Sequence, residues 1–506
     1  MAAKRFDFSK RIASWASGKL TLRLDKKDAL ILMLLAVAAA TIIFWQLGEG
    51  SLGDYDEADY AQSAREMLWW HDLNTPRWNG MEFFDKPPLT QWLTVFAYKV
   101  FGINEFGARV VPACCGVAAI LMTCVLGREL FSKRAVGLGA AIILLTANRN
   151  LFSHGYNFVS LARVGMLDMP LILTMIFAVW LAWRSQRNPR ALVWLGVPLG
   201  LGLMIKSVAG LVTYGIVALY LVVGLPKAAW WRKEMWWGLL LSVLIAAPWH
   251  VGQLLIWGRH FWNSYMVSLT VGYVTGEQGH TRDLLYYFRI LQRGFPVLYP
   301  VLALAVAYGL YRGLRYHLRP LERREQDRAM ILLLCWVAVP MALYNFSRSR
   351  IGWYIIPTYP ALALLTTNLL VSVLRSRLAV IFVLAVTLAL NPWLRRVGDF
   401  NPDVKKVASY SHYVLSEDAI LVNYWPGSFW IRPSALFYAD RPLLLVTDEQ
   451  AMRQLLLTEG DFYVLADWSD WEPLAHLGDV VYRSGDYTLA RAYRPASSCP
   501  SEAATE

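Results

Sequence analysis

Ionisable side chains gather at a few places in an otherwise apolar chain, and each place suggests a particular chemistry. The run Asp54-Tyr55-Asp56-Glu57-Ala58-Asp59-Tyr60-Ala61 sets four acids among aromatics. A carboxylate shielded by such neighbours can take the proton of a hydroxyl. Ala61, Ala64, Met67 and Leu68 follow at helical spacing, so a helix is expected to begin near Asp56. Asp56 as its N-cap, with Glu57 and Asp59 in the first turn, is also ordinary helix chemistry, and the two roles are compatible. In Asp85-Lys86-Pro87-Pro88-Leu89 the paired prolines stop a helix and hold the lysine at one point, although a turn with a snorkelling lysine has the same sequence. Arg163 and Asp168, the latter two residues before Pro170, stand at the mouth of an apolar run, as an ion pair or as part of a site. Lys206 ends another run. Further on come Arg259, His260, His280, Arg282 and Asp283, without the HxxxH or CxxC spacing of a strong metal site. Ser347-Arg348-Ser349-Arg350, followed by Gly352-Trp353-Tyr354, adds a cationic cluster. Brought together, these groups could hold a substrate that is part lipid and part phosphate or sugar, with Trp and Tyr packing against it.

The elements that must position them are membrane helices. Of 506 residues, 56% are apolar and only 17% charged, against about 25% charged in a soluble protein. The 23 Trp, 25 Tyr and 21 Phe exclude a disordered or fibrous chain. Cys114, Cys115, Cys124 and Cys335 lie in apolar runs and Cys499 stands alone, so structural thiols are expected rather than a disulfide framework. The net charge of +12 does not imply nucleic acid, because its placement follows membrane topology. Lys4, Arg5, Lys10, Arg11, Lys19, Arg23, Lys26 and Lys27 precede the first apolar run, which begins near residue 28. Residues 1–27 do not read as a removable signal and are expected to form a basic cytoplasmic segment on the anionic leaflet.

Ten further apolar runs follow, near 109–127, 135–153, 168–183, 191–205, 207–225, 236–257, 293–311, 329–346, 351–373 and 378–394. Arg128/Lys133/Arg134, Arg184/Arg187/Arg190, Lys227/Arg232/Lys233, Arg312 to Arg328 and Arg375/Arg377 occupy every second connection, on the side of the basic segment. The pattern predicts about eleven spans, the N-terminus inside and the C-terminus outside. The split at Lys206 rests on one charge. Long external loops fall at about 48–108 and 258–292. After residue 394 the composition becomes that of a soluble domain. Ala419-Ile-Leu-Val, Arg441-Pro-Leu-Leu-Leu-Val and Asp461-Phe-Tyr-Val-Leu-Ala read as buried strands and Glu449 to Leu457 as a helix, which predicts a small α/β domain over 395–506 with a loose tail from Ala496.

The order of the motifs resembles a known family. An Asp-Glu-Ala-x-Tyr-Ala motif after the first span is followed by Arg65-Glu66-Met67-Leu68 and Asp85-Lys86-Pro87-Pro88-Leu89-x-x-Trp92. Then come Phe101-Gly102, Glu105-Phe106-x-x-Arg109, Leu167-Asp168-x-Pro170, Pro248-Trp249 and Tyr354-Ile-Ile-Pro357-x-x-Pro360. Over residues 28–394 the chain resembles bacterial GT-C glycosyltransferases of the aminoarabinose transferase (ArnT) and protein O-mannosyltransferase superfamily. The resemblance implies a mainly α, polytopic fold and an inverting transferase, working at the periplasmic face of the bacterial inner membrane. A polyprenyl-phosphate-linked sugar would be the donor, and a lipid such as lipid A, a glycan or a protein the acceptor. It implies Asp56 as base, Asp168 as a second catalytic acid, and Lys86 on the donor phosphate, with Arg282, Lys206 and Arg350 assisting. Glu57, Tyr60, Arg163 and Tyr354 would contact substrate. Some relatives hold a divalent metal, for which Asp85 and His280 are the matching positions. A transporter or flippase of lipid-linked sugars is the rival reading. It explains the spans without a base and would place charges deeper within them.

Overall fold

The computed structural model describes residues 24–145, 157–226, 232–271, 282–294, 298–318, 325–390 and 398–493. The expectations for the basic segment before Leu24, for His280 and for the tail from Ala496 lie outside these residues. The chain is mainly helical. The helices used below are α1 (Lys26–Phe44), α2 (Asp56–Trp69), α3 (Leu89–Phe101), α4 (Glu105–Phe131), α5 (Arg134–Leu144), α6 (Asp168–Arg184), α7 (Gly196–Gly224), α8 (Lys233–Phe261), α9 (Glu325–Phe346), α10 (Tyr359–Val373), α11 (Ser376–Leu390) and α12 (Pro402–Val414).

Two compact units emerge. One comprises Met1–Leu47, Phe84–Leu93 and Arg109–Arg395, and the other Gly48–Phe83, Thr94–Ala108 and Arg396–Glu506.

The first unit is the membrane part. Six helical stretches among the described residues are long and apolar enough to cross a bilayer, and a seventh arises if Tyr286–Gly294 and Tyr299–Leu318, bent by 118°, act as one. The chain is therefore a polytopic membrane protein. Asp25 and Asp28 start α1 with a reciprocal capping box: each carboxylate accepts the other's backbone N–H, at 2.9 and 3.0 Å. Helices α4 and α5 then fold back on one another. A Cβ on Gly137 would stand 2.0 Å from the Cys124 carbonyl, a closeness only glycine allows between two packed helix backbones.

The stretch Gly196–Gly224 is not a single rod. Lys206 (φ −146°, ψ 41°) and Ser207 (φ 32°, ψ −110°) leave helical geometry. A Cβ on Gly210 would lie 2.6 Å from the Gly202 carbonyl carbon, whereas eight residues of straight helix span about 12 Å. The chain doubles back here, with Lys206 at the reversal. The break falls at Lys206, which divides the apolar runs 191–205 and 207–225.

The second unit contains a five-stranded sheet. Its strands are β1 (Ile420–Tyr424), β2 (Leu444–Val446), β3 (Phe462–Asp467), β4 (Gly478–Ser484) and β5 (Tyr487–Ala492), in the order β2-β1-β3-β5-β4. Strand β1 runs parallel to β2 and β3, while β5 is antiparallel to both β3 and β4. Val422, Val464, Ala490, Met452 and Trp471 fill its core. Alternate residues of strands β1, β3 and β5, which are buried on both faces, supply the sheet's contribution, and helix Glu449–Leu456 supplies Met452. The stretches read as strands lie in β1, β2 and β3. The β4–β5 hairpin carries no comparable run of apolar residues.

Residues of the first long loop belong to this same unit. The Leu52 N–H donates to the Tyr438 hydroxyl at 2.7 Å, and that hydroxyl donates to Glu105 at 3.0 Å. Asp54 receives Arg432 at 3.2 Å and the Ser434 N–H at 3.0 Å.

Candidate functional site

Within the second unit, the acidic motif opens α2. Asp56 is not the N-cap. That position falls to Tyr55, whose positive φ of 64° turns the chain sharply into the helix. Asp56, Glu57 and Asp59 instead occupy the first turn, where the unsatisfied N–H groups favour negative charge. Glu57 is buried and accepts the Gly53 N–H at 2.8 Å, closing the turn ahead of the helix. Tyr60 is buried and Asp56 half-buried. A carboxylate at a helix start, partly shielded from water, has the environment of a general base.

In the membrane unit, Asp85 and Lys86 pair with one another: the ammonium donates to Asp85 Oδ1 at 2.8 Å and to the Asp85 carbonyl at 3.1 Å. The preceding residue fixes this loop. Phe84 is buried and meets Trp257, His260 and Phe261 edge-on, with ring centroids 6.0, 5.7 and 5.1 Å apart. Pro87 and Pro88 are buried and lead directly into α3. The lysine is thereby held by backbone stiffness on one side and an aromatic anchor on the other.

Asp168 begins α6, and its partner is not Arg163. Lys206 Nζ lies 2.9 Å from both carboxylate oxygens of Asp168, and both residues are buried, at 9% and 3% exposure. The ammonium also stands 5.4 Å from the ring centroid of Tyr354, which packs on Tyr344 at 5.3 Å. Ser207, the next residue, hydrogen-bonds with the Tyr265 hydroxyl, which is within electrostatic reach of Asp85. His250 Nε2 contacts the same hydroxyl at 2.8 Å. Tyr265 thus connects the surroundings of the Asp85–Lys86 loop to those of Asp168 and Lys206.

Arg163 turns to the end of α1, donating to the Trp45 carbonyl, while Arg109 donates to the Leu47 carbonyl at 3.2 Å. Their cations complement the carbonyl-rich end of that helix. Arg350 is buried and donates to the carbonyls of Asn345, at 2.6 Å, and of Arg282. The Arg282 side chain is exposed, and His260 touches Phe84 rather than a carboxylate. Among the described residues no group of three or more His, Cys, Asp or Glu could hold a metal, and Asp85 already receives Lys86. The sequence gives no sign of Tyr265, which falls in the second long loop, or of Tyr344, which sits in an ordinary apolar run. His250 follows the Pro248-Trp249 motif and could have been found there.

Residues 85–251 match a family described as dolichyl-phosphate-mannose-protein mannosyltransferase. An undecaprenyl phosphate-alpha-4-amino-4-deoxy-L-arabinose arabinosyl transferase of Pseudomonas fluorescens is 26% identical over 354 residues, covering 67% of this chain and 59% of that protein. The transferase of that description from Pseudomonas aeruginosa is 26% identical over 356 residues, covering 68% and 60%. The chain thus spans about three fifths of the length of these curated relatives. A crystal structure of ArnT from Cupriavidus metallidurans bound to undecaprenyl phosphate superposes with a TM-score of 0.70 at 17% identity, covering 94% of this chain and 99% of that one. The helical membrane unit and this likeness agree: the chain has the fold of the ArnT structure.

Proposed function

We propose that this protein is an inverting glycosyltransferase that moves a monosaccharide from a polyprenyl-phosphate donor to a lipid, glycan or protein hydroxyl at the periplasmic face of the bacterial inner membrane. The observation that carries the reading is the buried Asp168–Lys206 pair at a reversal of the chain, joined through Ser207 and Tyr265 to the surroundings of Asp85 and Lys86. A membrane protein tolerates buried charges where they line a substrate path or react. The fold and the names of the relatives support a lipid-linked sugar as donor.

In this mechanism the acceptor oxygen attacks the anomeric carbon while Asp56 takes its proton, and the bond from that carbon to the polyprenyl phosphate oxygen breaks. One displacement inverts the configuration. Negative charge grows on the departing phosphate, where Lys86 and Lys206, with Arg282 and Arg350, offset it. Asp168 holds the Lys206 ammonium in place, and Tyr354 lies over it. Glu57, Tyr60 and Arg163 shape the acid-bearing and cationic margins. Some eleven crossings place the N-terminus in the cytoplasm and a C-terminal α/β domain, residues 395–506, in the periplasm. The flippase reading gains no support from the charges, which lie at helix ends and reversals rather than along the middle of spans.

Purified full-length protein, given a polyprenyl-phosphate sugar and a lipid A acceptor, tests the base directly. Asp56→Asn is expected to lower turnover by at least about 100-fold with donor binding retained. Transfer at the wild-type rate would remove Asp56 from the role. Mass spectrometry of envelope lipids and glycans from cells with and without the gene identifies the acceptor, and an unchanged profile would count against the transferase.

A further inference from the structure

A second concavity lies at the other end of the membrane unit. Asp168 opens α6 and Arg184 closes it, and sixteen residues of helix put about 24 Å between them. Around Arg184 is a cavity of ≈ 1190 Å³, bordered by the start of α1, the α4–α5 turn and the start of α11. Its border carries one acid, Glu129, and an excess of cations.

Four of those cations are fixed. Asp28 takes both Arg128 (2.7 Å) and Arg134 (2.6 Å), with Asp25 also on Arg134. Glu129 takes Arg184 at 2.5 Å, and Glu325 takes Arg187. These pairs tie the helix ends together. The other three, Lys27, Lys133 and Arg377, are exposed at the cavity and form no ion pair among the described residues. The border therefore holds a surplus of positive charge that its own acids do not cancel.

The walls are apolar, with Ile31, Leu138, Val380 and Ile381. They continue onto faces a bilayer must cover: Leu30, Leu34 and Val37 form an exposed stripe along α1, and Leu378 and Ile381 are exposed on α11. A soluble anion would use the cations and leave this wall idle. A ligand with a phosphate at one end and hydrocarbon at the other uses both. We propose that this cavity binds an anionic diacyl phospholipid, its phosphate held by Lys27, Lys133 and Arg377 and its acyl chains lying along Ile31, Val380 and Ile381. Such basic pockets between membrane helices suit lipid head groups in general. The site is independent of the transfer reaction and would anchor the helix ends that the four arginine pairs assemble.

The test uses delipidated full-length protein in neutral detergent, titrated with dioleoyl phosphatidylglycerol or dioleoyl phosphatidylcholine and read by native mass spectrometry and thermal denaturation. Wild-type protein is expected to retain phosphatidylglycerol adducts and to melt higher with that lipid than with phosphatidylcholine. The variant Lys27→Gln/Lys133→Gln/Arg377→Gln is expected to bind phosphatidylglycerol at least about tenfold more weakly, whereas Arg348→Gln, an exposed cation outside the cavity, binds it as wild type does. If the triple variant does not fold, Lys133→Gln and Arg377→Gln alone are each expected to weaken binding several-fold. Equal retention of the two lipids, or unchanged binding in the cation variants, would overturn the proposal. So would inorganic phosphate at millimolar concentration giving the full protection seen with phosphatidylglycerol, since it would assign the site to a free anion.

Discussion

At a chain reversal, the buried Lys206 faces a buried carboxylate. Lys206 donates to both oxygens of Asp168 at 2.9 Å in a setting from which water is nearly excluded. Removing either partner leaves the other charge buried without it, at a cost of about 3–5 kcal/mol. Asp168→Asn is therefore expected to lower the melting temperature of the purified protein. The double variant Asp168→Leu/Lys206→Met replaces both charges with apolar groups and is expected to recover most of that loss. Transfer activity separates structure from function: if the pair serves the donor phosphate, the double variant stays inactive though folded. An active double variant would reduce the pair to a structural clasp. The Asp85–Lys86 pair is less buried and is expected to tolerate Lys86→Ala in stability while losing turnover, measured in the same preparation.

Among the elements, the reversal at Lys206–Ser207 depends on glycines more than on the residues at its tip. Gly202 and Gly210 let the two arms meet at backbone distance. A valine at Gly210 would put its Cβ 2.6 Å from the Gly202 carbonyl carbon, where only backbone can yield. Gly210→Val is expected to separate the arms, lower the yield of folded protein and displace Lys206 from Asp168. Gly252 is the control, because a Cβ there meets nothing within 4 Å. Gly252→Ala in the interior of α8 is expected to be neutral or stabilising by about 0.5–1 kcal/mol. Thermal melts of the two variants side by side check both, and a Gly210→Val protein as stable as wild type would refute the close packing of the arms.

For the molecule as a whole, the second unit is assembled from sequence-distant pieces that need clips. Ser51 donates to Asp399 through both its backbone N–H (2.8 Å) and its hydroxyl (2.6 Å), across 348 residues of chain. Burial pushes the Asp399 carboxyl up, but the Ser51 bonds, with Lys405 and Lys406 nearby, outweigh it and hold the carboxyl below its usual value. A depressed carboxyl stabilises the fold above its unfolded value and loses that contribution as pH falls toward the lower, folded value. The clip should therefore hold at neutral pH and weaken below about pH 4. Asp399→Asn is expected to destabilise modestly at pH 7 and to make the melting temperature less sensitive to acid below about pH 4. An acid profile identical to wild type would show that the clip contributes nothing.

Some of this was legible without coordinates, and the division has a physical cause. Hydropathy is a local property, so the apolar runs, the alternation of basic connections and the change of composition after residue 394 can be read directly. Turn chemistry is equally local: Asp85-Lys86-Pro87-Pro88 announces a fixed lysine because proline restricts its own backbone and its neighbour's. Partners are not local. The sequence offers Arg163 as the cation five residues before Asp168 and divides two apolar runs at Lys206, but only the fold brings Lys206 rather than Arg163 to Asp168. Tyr265 looks like a loop residue and Tyr344 like a membrane-helix residue until the fold sets them near charged groups. The sequence by itself determined that the chain crosses a membrane many times with a distinctive set of charged motifs at helix ends. Only the tertiary structure decided which of those charges neutralise one another, because burial, and the opposite charge it demands, arises from elements far apart in the chain.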